Sequence, residues 1–519
     1  MVFDIASYLE PPPISITDCL VNGEIDIHRY WMYQRGKRRK DIQSNILNSI
    51  IRKHQNKRKR GNEEVFISPR KRVRSVKRHK LFYRDSDGHL KEFKSCNTLW
   101  WLLYVNQAPR NDRQRKNFRS RFRLPHADYL ELANDCANDP LFKQWLSKDC
   151  TKEKSNDIKL LLLGTLRYLG RGWTFDDMEE ATCISRESHR QFFNVFIEYG
   201  STVLYDRHVT SPATNTDVSV FEELFNIAGY NGCIGSSDAT HVGMLSCPVW
   251  SRINHLGHKL NIPSRTYNAT VTHCRQILGT TSGHPATWND KTIILYDEFV
   301  RGIHEGVLFE DNEFTLFEYD ALGNIVEVKY QGVWIMVDNG YLDWSTTMPP
   351  MKHGVTYKCI RFSEWLESMR KDVECTFGIM KGRFCILRYG IRLRSISKCD
   401  AVWKTCCALH NRLLFVDGLH KDWATGERSD WEVTNAKHEA KTVGKFAINR
   451  LNKMPSVPCN NLPTEGGKAN LDQYVVNGRR VVRKIPFDIF QRCLIEHFDI
   501  RFQKNTVKWP SRCKTKQIL

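Results

Sequence analysis

The amino-acid sequence predicts an α/β fold, a mixed sheet flanked by helices, and three observations carry that prediction. Four segments after Gly232, "CIGSSDATHVGML", "RTYNATVTHCRQIL", "FTLFEYDALGNIVEVKY" and "VWIMVD", have the texture of strands, with Gly323-Asn324 as a hairpin turn. One of them, Val333 to Val337, is five apolar residues in a row, the pattern of a short strand buried on both faces. Behind the strands, Trp365, Met369, Val373, Phe377 and Met380 recur at steps of three and four, which is one face of an amphipathic helix.

The elements follow in order along the chain. Residues 1–90 read as a basic, largely disordered arm in which "DIQSNILNSIIRK" is a candidate short helix. Residues 98–205 read as a helical region, with "DIKLLLLGTLRYLGRGWTF" ending at a Gly-Arg-Gly turn. "DDMEEATCISRESHRQFFNVFIEYG" reads as two helices parted near Cys183 to Ser185, with Thr174 and Asp177 as an N-cap pair and Ser185 as the cap of the second. That outline fits a helix-turn-helix offering Arg186, His189, Arg190 and Gln191 to DNA, and equally a packed bundle with polar outer faces. Within 228–415, the sheet-bearing domain, "WNDKTIILYDEFVRGIHEG" is expected as a single helix capped by Asn289 or Asp290. Residues 416–519 form a C-terminal extension, with "SVPCNNLPTEGGKANLD" a loop and "IPFDIFQRCLIEHFDI" a compact ending.

Charge and cysteine usage narrow the function classes. The net charge is +20. Between Arg35 and Lys80 stand 18 Lys and Arg against three acids, a net +15, so the rest of the chain is only mildly basic. Runs such as "RGKRRK" and "PRKRVRSVKRHK" suit nuclear import or phosphate contact. Seventeen cysteines without CxxC pairs signal neither a disulfide framework nor a zinc ribbon, which points to a reducing compartment. No apolar run approaches the roughly 18–20 residues of a membrane span, so no membrane partner is expected.

Three carboxylates stand out by position. Asp238 falls within the first strand, Asp338 ends the buried one, and Glu374 lies inside the long helix. Carboxylates converging from separate elements are what a hard divalent cation such as Mg2+ or Mn2+ requires. Arg370 and Lys381 share a helix side with Glu374, which is the spacing of a salt-bridged surface and also of a phosphate-contacting edge.

"SSDATHVGM", "VDNGYLDWSTTMPP", "RKDVECTFGIMKGRFCIL" and "CCALHNRLL", in that order, resemble the PIF/Harbinger transposases, the DDE group that includes the Harbinger-derived nuclease-like proteins. The resemblance covers roughly residues 115–415. It implies a ribonuclease H-like core with Asp238 on a central strand, Asp338 just after a neighbouring strand and Glu374 on a helix against the sheet. It also implies catalysis and metal binding by these three, two Mg2+ or Mn2+ ions, and DNA contact by Arg370 and Lys381. Asp290, in "GHPATWNDKT", competes with Asp338 as the second acid; Asp338 is preferred because a buried strand fixes it. His241 matches the family's D-x-T-H pattern, either orienting a ligand or simply hydrogen-bonded. Ala239, Asn289 and Ser363 depart from the family's usual residues, and the hairpin around Gly323 reads as an insertion.

The expected function is a nuclear, metal-dependent DNA endonuclease and transposase acting on transposon ends and target DNA. The resemblance adds a Myb-like DNA-binding partner protein, and a homo-oligomer is expected. The alternative is a domesticated DNA-binding or scaffold protein without transposition activity.

Overall fold

A computed structural model describes residues 20–21, 24–25, 82–84, 86–92, 94–146, 157–257, 259–351, 356–420 and 471–508. Most of the basic arm, its candidate helix and the loop expected after Ser456 lie outside these residues. Residues 1–77 and 78–519 are two compact units. The first contains a two-stranded antiparallel pair, β1 (Leu20–Val21) with β2 (Glu24–Ile25). The second opens with β3 (Phe82–Arg84) and β4 (Leu90–Glu92), also antiparallel. Gly88 at φ +80° takes the turn between them, and Arg84 donates to its carbonyl. The sequence did carry this signal, the Asp87-Gly88 pair.

The helical region is α1 (Asp112–Phe122), α2 (His126–Asn138), α3 (Ile158–Arg171), α4 (Phe175–Thr182) and α5 (Arg186–Tyr199). Its boundaries follow local chemistry. Asp157 caps α3, Gly172 closes it in the left-handed region, Thr174 and Asp177 form a reciprocal capping box on α4, and Ser185 caps α5. A further helix, α6 (Ser219–Ile227), leads into the sheet.

The main sheet has six strands. They are β5 (Cys233–Gly243), β6 (Ser264–Val271), β7 (Ile277–Thr280), β8 (His284–Pro285), β11 (Trp334–Met336) and β12 (Thr347–Met348). Its order is β12-β11-β5-β6-β7, with β8 pairing β6. β5, β6 and β7 are successively antiparallel, whereas β11 and β12 run parallel to β5. The segment "RTYNATVTHCRQIL" is therefore two strands, not one. Arg275 makes the turn at φ +71°, a conformation that no Gly or Pro announces.

Helices cover both faces. α7 (Asp290–Ile294) and α8 (Glu298–Glu305) pack Ile294, Phe299, Val300 and Ile303 on Ile234, Leu278, Ile335 and Val337. Sequence reading expected one helix here. The chain breaks instead at Asp297, whose buried carboxylate caps α8 by accepting from the N–H groups of Phe299 and Val300. On the other face lies α9 (Tyr357–Arg383), whose Trp365, Met369, Val373, Phe377 and Met380 are all buried as the spacing predicts. α10 (Ile396–Val416) joins α3 and α5 to the sheet in one hydrophobic cluster. Its Arg412 donates to Asp128 of α2 at 2.7 Å, and Asn411 exchanges hydrogen bonds with both the N–H and the C=O of Ile277.

The expected hairpin is β9 (Glu313–Tyr319) with β10 (Ile325–Gln331). It extends through the C-terminal strands β13 (Val475–Val476) and β14 (Arg479–Val481), β14 lying parallel to β10. The last helix, α11 (Phe487–Gln503), buries Phe490, Leu494 and Phe498 with Phe362, Trp365 and Met369 of α9.

Asp372 is wholly buried on α9, its carboxylate 2.6 Å from His273 Nδ1 and 3.0 Å from the Arg275 guanidinium. Removing one member of such a group strands a buried charge, at about 3–5 kcal/mol. R275A is expected to lose that much in urea unfolding, and an unchanged midpoint would refute the network's role.

Glu222 on α6 is buried and accepts from Asn312 at 2.7 Å. Burial raises its pKa to about 7 against the Asn312 hydrogen bond, with Asp217 adding to the rise. Because the folded value lies above the unfolded one, its penalty is absent in acid and grows as pH rises from about 4.5 through 7. E222Q is expected to gain on the order of 2–3 kcal/mol at alkaline pH and nothing at low pH, read as thermal midpoints across a pH series.

Candidate functional site

The acids lie near one another where β5, β11 and α9 converge, and a strand irregularity aims the first of them. Cys233 packs with the α9 side of the sheet and Ile234 with the α8 side. β11 then skips a residue of β5, since Trp334 pairs with Cys233 but Ile335 with Gly235. The extra residue shifts the alternation. Beyond it, Asp238 and Thr240 face α9, while Ser237 faces the opposite side.

Asp238 Oδ1 accepts from the N–H of Ala239 at 2.7 Å, and Oδ2 lies 3.4 Å from the Arg370 guanidinium. Burial raises its pKa to about 6; the Ala239 hydrogen bond and Arg370 oppose the rise, and Asp338 and Glu374 add to it. Arg370 is itself buried and also binds Glu367 at 2.8 Å and Glu374 at 3.1 Å. Burial would lower its pKa, but Glu367, Asp238 and Glu374 outweigh burial and hold it above the usual value. Glu374 is partly exposed and is shared with Lys371 at 2.8 Å. A buried guanidinium thus stands between the first-strand acid and the helix acid.

Asp338 follows β11 and accepts from the N–H of Gly340 at 2.7 Å. A Cβ at Gly340 would lie 2.9 Å from Asp338 Oδ1 and 3.2 Å from Asp290 Oδ2, so the two carboxylates flank this glycine. Asn289, not Asp290, caps α7, by accepting from the Thr292 N–H. Asp290 is half-buried, and its pKa is raised by burial, against Lys259 and with Asp338. The two competing positions for the second acid are therefore neighbours in space.

Lys381 donates to Thr240 Oγ1 at 2.8 Å, two residues beyond Asp238, and burial lowers its pKa. His241 Nδ1 is 3.0 Å from Thr266 Oγ1. Arg186 and Arg190 are exposed on α5, paired with Asp176 and Glu187. His189 is buried against α4, 2.8 Å from Thr182 Oγ1, which corrects the expectation that it would face DNA. The helix pair itself is present as α4 and α5.

Sequence reasoning missed the support beneath the acids. The buried Tyr341 hydroxyl donates to Asn268 Oδ1 at 2.6 Å. Asn268 Nδ2 in turn donates to Asp297 Oδ2 at 2.7 Å and to Ser237 Oγ at 2.9 Å. The chain of bonds links the residue before Asp238 to the turn after Asp338. Tyr341 was visible within "VDNGYLDW", but only the fold brings Asn268 and Asp297 to it.

Carboxylate oxygens are the donors that Mg2+ or Mn2+ takes, and Asp338 and Asp290 already flank one point. Among the described residues no three His, Cys, Asp or Glu side chains stand as a ready metal-holding group. Glu374, held by Arg370 and Lys371, would need to turn toward the aspartates.

Residues 206–420 match a family model described as plant transposon protein. Over that span the chain is similar to plant transposon proteins. The matched span includes all three acids together with Asp290, Arg370 and Lys381. No curated protein and no solved structure shows significant similarity to the chain. No helix among its described residues is long and apolar enough to cross a membrane.

Y341F leaves Asn268 Oδ1 without its buried donor, at about 1–3 kcal/mol. A stability loss of that size in urea unfolding is expected; none would show that the hydroxyl is not structurally coupled to the site.

Proposed function

We propose that the chain is a metal-dependent DNA endonuclease and transposase of PIF/Harbinger type, acting through Asp238, Asp338 and Glu374 on a ribonuclease H-like core. One observation carries the reading: three antiparallel strands followed by two strands parallel to the first, in the order β12-β11-β5-β6-β7. On that frame an acid sits on the first strand, another after the adjoining parallel strand, and a third on the helix after the last strand. This is the placement that the family resemblance implies.

Asp238 and Asp338, with Asp290 beside the latter and Glu374 after a side-chain turn, are the residues that would hold Mg2+ or Mn2+. Such ions would polarise the scissile phosphate and generate the attacking hydroxide or 3′-oxygen. Before a cation binds, Arg370 balances Asp238, Glu367 and Glu374, so negative groups can be kept together without one. Lys381, on the same helix side and hydrogen-bonded to Thr240, would meet a phosphate there. His241 would support the strand beside Asp238.

Nuclear localisation through the basic runs between Arg35 and Lys80, a Myb-like partner, a homo-oligomer, and DNA contact by Arg186 and Arg190 belong to the same proposal. A second reading, a domesticated DNA-binding or scaffold protein, draws support from the hold of Arg370 and Lys371 on Glu374.

The deciding experiment is nicking of supercoiled plasmid in Mn2+. D238N, D338N and E374Q are each expected to lose activity on the order of a hundredfold or more, the scale of removing a transition-state charge stabiliser. D290N separates the two neighbouring acids: retained cutting assigns Asp338 alone, and loss assigns both. Undiminished cutting by D238N would sink the proposal.

A further inference from the structure

After β5 the chain makes an excursion from Leu245 to Ile262 whose base is fixed and whose tip is bare. The N–H of Met244 donates to the Pro263 carbonyl at 2.7 Å, and that of Leu245 to Ile391 at 2.9 Å. His255 is buried, 3.2 Å from the Ser264 carbonyl, and Thr287 donates to the Asn254 carbonyl at 3.1 Å. The last of these ties holds the excursion to Thr287, three positions before Asp290.

At the tip, Val249, Trp250 and Ile253 are 88%, 81% and 82% exposed, on one short helical turn. Three large apolar side chains this bare on one braced turn make a cluster, not a scattered set of surface apolar residues. Arg252 is exposed within the same turn, Lys259 is exposed farther along the excursion and near enough to Asp290 to lower its pKa, and residues 244–263 contain no Asp or Glu. A second copy would set like charges against each other across an isologous contact. Phosphates flanking an apolar insertion between bases match both features: apolar wedges unstack base steps while neighbouring cations hold the backbone.

We infer that the Val249–Ile253 turn is a DNA wedge, with Trp250 and Ile253 entering an unstacked base step beside the acidic site and Arg252 and Lys259 on the adjoining phosphates. The inference deepens the nuclease reading and takes the identity of its occupant from it. Opening a step beside the acids would free the strand to bend into them.

The test uses the full chain and a mixed-sequence duplex with 2-aminopurine at terminal and internal positions, in Ca2+ buffer that withholds the cutting metal. Wild type is expected to raise 2-aminopurine fluorescence as bases unstack. W250A and V249S/I253S are expected to lose most of that rise and to bind roughly five- to a hundredfold more weakly, the scale of one stacked base. W250F should keep most of it. Because these side chains are bare, thermal midpoints should not move.

A rise equal in wild type and W250A, or no rise in wild type, overturns the wedge. So does a W250A chain that changes its sedimentation coefficient while its fluorescence rise is intact, which would make the turn a protein interface. Plasmid nicking is scored separately. No nicking with a Trp250-dependent rise removes the nuclease reading and leaves the wedge, and nicking with a Trp250-independent rise does the reverse.

Discussion

The roll of α9 about its own axis is the constraint on which the candidate site depends. Its apolar stripe lies on the sheet, and on an α-helix residues 370, 374 and 381 fall roughly 80–120° to one side of that stripe while residue 372 falls about as far to the other. Asp372 is gripped by His273 and Arg275 at the turn between β6 and β7, and Arg370 is gripped by Asp238 on β5. Polar anchors on both flanks hold the helix at one rotation, where hydrophobic packing alone tolerates slippage. The anchor distant from the acids therefore helps determine whether Glu374 stands near Asp238 at all.

The extra residue in β5 works on the same problem from the sheet side. Strands alternate their side chains strictly, so an acid in mid-strand faces whichever side its parity dictates. One residue gained opposite Trp334 and Ile335 turns Asp238 toward α9 and Ser237 toward Asn268, Asp297 and Tyr341. One face of the strand then presents the acid, and the other carries the hydrogen bonds that keep it there.

Local signals were legible where they are short-range. The capping box at Thr174, the Ser185 cap, the α9 stripe, the hairpin at Gly323 and the buried strand before Asp338 could all be read from neighbouring residues. What could not be read depends on partners far along the chain. The turn at Arg275 has no Gly or Pro and is held by Asp372 nearly a hundred residues later. The break between α7 and α8 follows from burial of Asp297 against Asn268. His189 has a polar side chain on a helix with exposed arginines, and only the packing of α4 against α5 shows that it points inward.

Residue pattern was enough to set the element types, the α/β class, the basic character of the N-terminal stretch and the short set of carboxylates from which a site could be built. These rest on periodicity and on side-chain chemistry, both local properties. Tertiary structure alone decided that Asp290 and Asp338 flank the same glycine, that Arg370 is an internal counter-ion, and that the C-terminal β14 and α11 complete the packing of β10 and α9. Each of those is a distance between residues far apart in the chain, fixed by strand register and helix roll, which no local pattern encodes.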